Sequence, residues 1–473
     1  MSEWKRLVRF GGPIVIIGFG SIGQGVLPLI LRHIDAPREA ITIIAPDDTG
    51  RGIADAEGIR FLQTALTPET ARAVLEPLLA GQNGFIVNMS VNVSSLDLIR
   101  LAQEWGALYI DTCIEPWEGG YTDTSKTASQ RSNYALREEA LALQAQFPGG
   151  KTAVMAHGAN PGLVSHFVKR ALLTVAADTG VAVSAPSSRA EWAQLARTLG
   201  IKGIHIAERD TQTTVTPKVR GEFWNTWSID GFVGEGMQPA ELGWGTHEKG
   251  LPEDGFRHGF GCDAAIYLGR PGASTRVRTW TPMEGPFHGF LITHNEAISI
   301  ADYLTVRDGD AVVYRPTVHY AYHPCDAAVL SLHELSGKEW SEQPVYRLLN
   351  EQLTEGRDEL GVLLFGHAKN AYWYGSHLSV AEARELAPYQ NATGLQVTAA
   401  VLGGMVWAIN NPDAGLMEAD ELPHEDILAV AAPYLGPVVG EYTDWTPLQG
   451  REKLFPEDVD HDDPWQFRNV RVR

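Results

Sequence analysis

At 473 residues, with 44% hydrophobic and 20% charged positions, the chain has an ordinary globular composition and exceeds the roughly 250–300 residues that one core supports, so at least two domains are expected. The formal net charge of −20, with no compensating basic patch, excludes a nucleic-acid-binding role and leaves the acidity to serve either solubility or the attraction of cationic ligands. The three cysteines, Cys113, Cys262 and Cys325, are odd in number and far apart, which excludes a disulfide framework or zinc cluster and fits a reducing cytoplasm.

The N-terminal apolar run is too short, and too broken by glycine and proline, for a signal peptide or a membrane span. A cytoplasmic protein without membrane contact is expected. The first third then alternates strands with helices. An apolar β-branched run at Pro13–Ile17 precedes a glycine turn and a helix from about Ser21 to His33. Further strands are expected at Ile41–Ala45, Ile59–Gln63, Phe85–Asn88, Leu108–Asp111 and Thr152–Ala156. Thr67-Pro68 reads as an N-cap and N1 proline, Ser94 to Asp97 resembles a capping box, and Asn133–Gln146 is amphipathic. Six strands with intervening helices make a doubly wound parallel α/β sheet, a Rossmann domain over residues 1–156.

From His157 glycine, tryptophan and threonine become frequent. Thr275–Trp280, Gly289–Thr293 and Ala311–Tyr314 read as strands, so residues 157–393 are expected to form a second, mixed α/β domain. A helical pattern at Gly394–Ile409 is expected to return to the first domain. Residues 394–473 then end in a surface tail after Pro456.

Gly18, Gly20 and Gly23 stand between a strand and a helix at the spacing of a dinucleotide-binding loop. Gly18 permits the tight turn, Gly20 lets the backbone approach a pyrophosphate, and Gly23 allows close helix–strand packing. Ser21 and Ile22 open the helix whose N-terminus offers amide hydrogens to the phosphates. Asp47, just past the second strand, is placed to accept ribose hydroxyls and repel a 2′-phosphate, favouring NAD over NADP; Arg51 nearby works against this, and an Asp-Asp-Thr-Gly turn is the plain alternative. Asn88 and Ser90 after the fourth strand, and Asp111 and Thr112 after the fifth, reach the same carboxyl edge and are expected cofactor contacts.

Several words in the chain are more specific than the glycine loop. They are Val-Ile-Ile-Gly-Phe-Gly-Ser-Ile-Gly-Gln-Gly from Val15, Asp-Thr-Cys-Ile-Glu-Pro-Trp from Asp111, His-Gly-Ala-Asn-Pro-Gly-Leu-Val-Ser from His157, Asn-Thr-Trp-Ser-Ile-Asp-Gly from Asn225 and Thr-His-Asn-Glu-Ala from Thr293. With them the sequence resembles the saccharopine dehydrogenase-like superfamily, and within it the bacterial homospermidine synthases, over essentially its whole length. The resemblance implies an NAD-dependent aminoalkyl transfer that joins two putrescine molecules into sym-homospermidine and releases ammonia. Oxidation to an imine, attack by a second amine and re-reduction by the same bound NADH would leave no net redox change. It also implies a homodimer built through the second domain, with spermidine as a further substrate to consider.

A diamine is cationic at both ends and apolar between, so its pocket needs carboxylates and aromatic faces. Glu208, Trp227 and Glu235 lie within one short stretch. By resemblance Trp227 stabilises the cationic imine through its ring face, and Glu208 and Glu235 steer and hold the amines. Glu115 contacts the amine, Asn160 donates a hydrogen bond, His294 shuttles protons and Asp358 anchors the distal ammonium. Each residue also has a plain reading: a core tryptophan, solvated glutamates, a structural histidine. His319, His323 and Cys325 match no standard zinc spacing, and no metal is expected. The rival activity is a saccharopine or carboxyspermidine dehydrogenase-like net oxidoreductase. Its carboxylate-bearing substrates would need cationic residues such as Arg209, Lys218 and Arg220, whereas the aromatic and acidic residues are the more concentrated feature. A non-catalytic NAD-binding scaffold would not need so many polar words at strand ends.

Overall fold

The computed structural model describes residues 4–182 and 184–472. The run Ile14–Ile17 is buried at all four positions, as a strand covered by helices on both faces must be, and it forms the middle of an all-parallel sheet. The spatial order is Arg60–Gln63, Ile41–Ala45, Ile14–Ile17, Phe85–Asn88, Leu108–Asp111 and Ala153–Met155. That is the expected doubly wound order, and its reversal beside Ile14–Ile17 opens a crevice at the strands' carboxyl ends. The helices Ser21–His33 and Asn133–Gln146 have the bounds expected from the sequence. The Thr67-Pro68 pair instead opens a turn: the Thr67 carbonyl accepts the amides of Thr70 and Ala71, and the helix runs Ala71–Leu79.

Two features depart from the expected organisation. A seventh strand, Leu416–Glu418, joins the first sheet beside Ala153–Met155. Only three residues long, it carries no period for a pattern to reveal. The tail after Pro456 is not a loose surface extension. Trp465 stacks on Phe365 with ring centroids 4.6 Å apart, Phe467 packs against Trp244, and Val470 is buried. Trp465, Phe467 and Val470 together cover an apolar patch of the second sheet, while Asp460 and Asp463 pair with Lys249 and Lys202.

The second domain is built on a ten-stranded mixed sheet. At its centre Thr317–His323 runs parallel to Gly203–Asp210, which pairs antiparallel with Arg357–His367. Asn370–Ser379 and Val438–Thr443 extend one side, so the chain's last third contributes to both sheets. The strand expected at Gly289–Thr293 lies earlier, at Gly285–Phe290; Leu291 to Thr293 leave the ladder and deliver His294 to the next helix. The apolar helix Ala392–Asn410 is long enough to cross a membrane by composition, yet it is mostly buried and packs on Ser21–His33.

Arg137 ties these parts together. On the helix Asn133–Gln146 it is 1% exposed, and its Nε and Nη2 donate to Glu418 at 2.6 and 2.7 Å. Nη2 also donates to Asp302 of the second domain at 2.9 Å. Removing one member of a buried ionic group leaves the others unpaired, which costs about 3–5 kcal/mol. Arg137→Met is therefore expected to lower unfolding stability by about that amount in a denaturant titration. A loss below about 1 kcal/mol would show that the clamp is replaceable by apolar packing.

Candidate functional site

The crevice at the carboxyl edge of the parallel sheet opens into a cavity of about 420 Å³ walled by both domains. On the first-domain side Gly18 has φ +85°, and a Cβ there would lie 2.8 Å from backbone atoms of Met89 and Ser90. A Cβ at Gly23 would stand 2.4 Å from the Gly18 carbonyl oxygen, so glycine is what lets the helix seat against the strand. A Cβ at Gly20 meets nothing within 4 Å, which leaves room for a bulky anion to approach the backbone. The helix Ser21–His33 starts without a side-chain cap and without an acidic residue in its first turn. Its amides and positive dipole end face phosphate without competition.

Ser21, Ile22, Asp47, Ser90 and Thr112 all line the cavity. Asp47 is exposed and accepts the Thr49 amide at 2.8 Å, so the turn and a ribose-facing carboxylate coexist at one residue. Arg51 lies over the Phe61 ring at 4.5 Å and donates to Gln63. These residues fit a nicotinamide dinucleotide: Gly18 to Ile22 would hold its pyrophosphate and Asp47 would face its adenosine ribose.

The second domain supplies a chamber of carboxylates and rings. Alternation along the central strands sends Glu208 and Asp210, and Tyr320 and Tyr322, to the same side. Glu208 is 2% exposed; Asn160 donates to it at 2.8 Å and so does the Tyr320 hydroxyl. Trp227 follows the short strand Glu222–Asn225 and is held by donation from its Nε1 to the Tyr322 hydroxyl at 3.0 Å. The next helix, Ile229–Met237, is capped by Ser228 and carries Glu235 inward, where His294 Nε2 lies 3.0 Å from it. Glu115 is buried between Cys113, whose thiol donates to it at 3.3 Å, and the Glu235 side. Burial pushes the Glu115 carboxyl up to about 8, reinforced by the Glu235 charge, and pushes Glu208 up to about 7 against the hydrogen bonds that ionisation favours.

Glu115, Asn160, Glu208, Trp227, Glu235 and His294, which the sequence scatters over 180 positions, meet in this one cavity. Three other expected contacts do not line it. Asn88 accepts the Ser90 amide and hydroxyl at 3.3 and 2.5 Å; Asp111 accepts the Tyr109 hydroxyl and the Ala156 amide, both at 2.6 Å; Asp358 accepts the Thr393 hydroxyl. Each is buried with its side chain spent on a neighbour, so it lines no part of the cavity. Sequence reasoning missed Tyr320, Thr393 and Glu296. The alternation of Thr317–His323 could have revealed Tyr320 and Tyr322 in the same run that raised the metal question. In that run His319 packs against His205. Among the described residues no group of three or more His, Cys, Asp or Glu side chains is placed to hold a metal ion. A larger cleft of about 1200 Å³ lies between residues 248–254 and the C-terminal segment. Many of its charges are spent on one another, as in Arg270 and Arg471 with Asp254, and it contains none of the expected site residues.

Known proteins resemble this chain over nearly its whole length. Residues 14–154 match the family described as saccharopine dehydrogenase NADP binding domain, and residues 158–443 match the saccharopine dehydrogenase C-terminal domain. The homospermidine synthase of Blastochloris viridis is 60% identical over 480 residues, spanning 100% of both chains. That of Mesorhizobium japonicum is 57% identical over 478 residues, spanning 100% of this chain and 99% of the relative. Among solved structures, the homospermidine synthase of Legionella pneumophila in complex with NAD has a TM-score of 0.92 at 50% identity, covering 98% of each chain.

The raised carboxyls have a consequence for stability. A carboxyl whose folded pKa exceeds its unfolded value stabilises the fold fully below the unfolded value, and this contribution is lost as pH rises through the folded one. For Glu208 and Glu115 that window runs from about 4.5 to about 7 and 8. The thermal midpoint of the ligand-free protein should fall between pH 6 and pH 8, and Glu115→Gln with Glu208→Gln should flatten the fall. A midpoint that rises over this range, or a slope the double variant leaves intact, would count against the assignment.

Proposed function

For a chain that belongs to the homospermidine synthases, we propose that the reaction it performs is the condensation of two putrescine molecules to sym-homospermidine with release of ammonia, with NAD as a tightly held prosthetic group. The observation that carries this reading is the charge of the chamber. Glu115, Glu208, Glu235, Asp47 and Asp230 line the cavity, and among its described lining residues there is no arginine or lysine. A substrate bearing a carboxylate, as a saccharopine dehydrogenase-like oxidoreductase would take, finds no arginine or lysine there, and the one histidine, His294, already faces Glu235 and Glu296. Arg209 pairs with Glu284 and Asp326, and Lys218 with Glu334.

When bound, the nicotinamide takes a hydride from the amine-bearing carbon and later gives it back, so the condensation carries no net redox change. The chain's own residues do the rest. Glu208, oriented by Asn160 and Tyr320, pairs one ammonium. Glu115, with its carboxyl near the working pH, takes up the proton of the amine as it becomes an imine and returns one to the departing ammonia. Trp227 presents a ring face to the positive charge that persists on the carbon–nitrogen unit until the second amine is joined. Buried Phe232 and Tyr322 back that ring and keep it from turning. Asp47 supports NAD over NADP although the matched family bears NADP in its description, because its carboxylate repels a 2′-phosphate and Arg51 is occupied over Phe61. Three free cysteines suit a cytoplasmic setting, and a homodimer joined through the second domain completes the reading.

With putrescine and catalytic NAD, the purified protein should release ammonia and form homospermidine without NADH accumulating. Stoichiometric NADH would identify a net dehydrogenase instead. Mixing putrescine with spermidine and separating the products defines the substrate range. Trp227→Ala should lose about 30-fold in kcat, the equivalent of the ~2 kcal/mol that a desolvated cation–ring contact supplies, and Trp227→Phe should keep part of it. Equal loss in both, with the fold intact, removes the ring-face role. NADP turnover equal to that with NAD would reduce Asp47 to a turn residue.

A further inference from the structure

His294 stands at the start of the helix Asn295–Tyr303 with both ring nitrogens facing acids. Nε2 lies 3.0 Å from Glu235 Oε2, and Nδ1 lies 3.3 Å from Glu296 Oε1. One ring face is covered by Tyr320, with centroids 4.3 Å apart. Glu296 is 1% exposed, and neither of its carboxyl oxygens has a hydrogen-bond partner. Its contact with His294 is an ion pair without hydrogen-bond alignment. A carboxylate so far from water is costly unless a cation faces it, and here the cation is the imidazole.

We infer that Glu296 is a positioning residue: with Glu235 it holds His294 as a permanent imidazolium, so that His294 orients Glu235 and does not shuttle protons. A base needs a free lone pair, and a ring whose Nε2 pairs with Glu235 while Nδ1 faces the Glu296 carboxylate is favoured with a proton on each nitrogen. The groups facing the ring are Glu235 from the helix Ile229–Met237, Glu296 from its own helix, Tyr320 from Thr317–His323 and Glu208 from Gly203–Asp210. Burial alone would lower the His294 pKa, but Glu235 and Glu296 raise it well above the usual value. The expectation that His294 is the proton shuttle is thereby replaced, and proton traffic passes to Glu115 and Glu208. This inference rests on the diamine-condensing reading of the cavity.

Two measurements test it. Histidine ¹⁵N spectra of the holoenzyme, with the His294 signal identified by its loss in His294→Asn, should show an imidazolium from pH 6 to pH 9. A neutral signal growing in below pH 8 overturns the inference, and this readout holds whatever the reaction proves to be. In Glu296→Gln, His294 should deprotonate as pH rises, so kcat at saturating putrescine should fall about tenfold per unit above the new pKa, where the native enzyme does not. Glu296→Asp should restore the native profile. If Glu296→Gln instead gains activity with rising pH, His294 is a base. If its profile keeps the native shape while only the thermal midpoint falls, Glu296 is merely structural. Both outcomes refute the positioning role.

Discussion

Six carboxyl groups withdrawn from water set the terms for this protein, and three of them, Glu115, Glu208 and Glu235, line one cavity. Glu115, Glu208, Asp210, Glu235, Glu296 and Asp358 are each at most 8% exposed. Desolvation opposes the ionisation of Glu115, Glu208, Asp210 and Asp358, and His294 is the cation placed beside Glu235 and Glu296. A chamber in this state is incomplete electrostatically. A ligand that is positive at both ends and apolar between relieves the repulsion and fills the ring-lined space at once. The overall charge of −20 has the same sign as the chamber and suits a cationic ligand.

The architecture makes that burial tolerable. Glu208 and Asp210 ride on a central strand flanked on both sides, so backbone pairing holds them in place whatever their charge costs. Their hydrogen-bond donors come from elsewhere: Asn160 from the turn that follows the first sheet, Tyr320 from the parallel neighbour, Thr226 from the approach to Trp227. The seam between the domains is fixed by Arg137, which reaches the seventh strand and the His294-bearing helix together. The same helix that carries His294 thus feels the first domain, and the dinucleotide loop and the acidic chamber keep one mutual geometry.

Much of the fold was legible in the sequence because its elements are long and periodic. Ile14–Ile17, Ser21–His33 and Asn133–Gln146 are set by local pattern, and tertiary packing had little to override. The seventh strand was not legible, since Leu416–Glu418 is a strand only because Ala153–Met155 leaves an edge beside it. The C-terminal tail misled for the opposite reason. Its aspartates suggest a solvated extension, but Trp465 and Phe467 find an apolar sheet face that no local signal announces. Within the site, Asn88, Asp111 and Asp358 have the right chemistry at the wrong depth. They are buried and support Ser90, the Ala156 turn and Thr393.

The sequence by itself determined the dinucleotide loop, because a glycine at positive φ, a glycine facing open space and a glycine against a carbonyl are properties of a few consecutive residues. It also determined that acids and rings are concentrated around Trp227. Only the tertiary structure decided which acids face one another. Glu235 and Glu296 are 61 positions apart, and Tyr320 lies 112 from Glu208; they meet through strand pairing and helix placement across the whole second domain. Burial, and with it the charge each group carries, depends on that assembly, so the difference between a proton shuttle and a fixed imidazolium at His294 cannot be read from its neighbours in the chain.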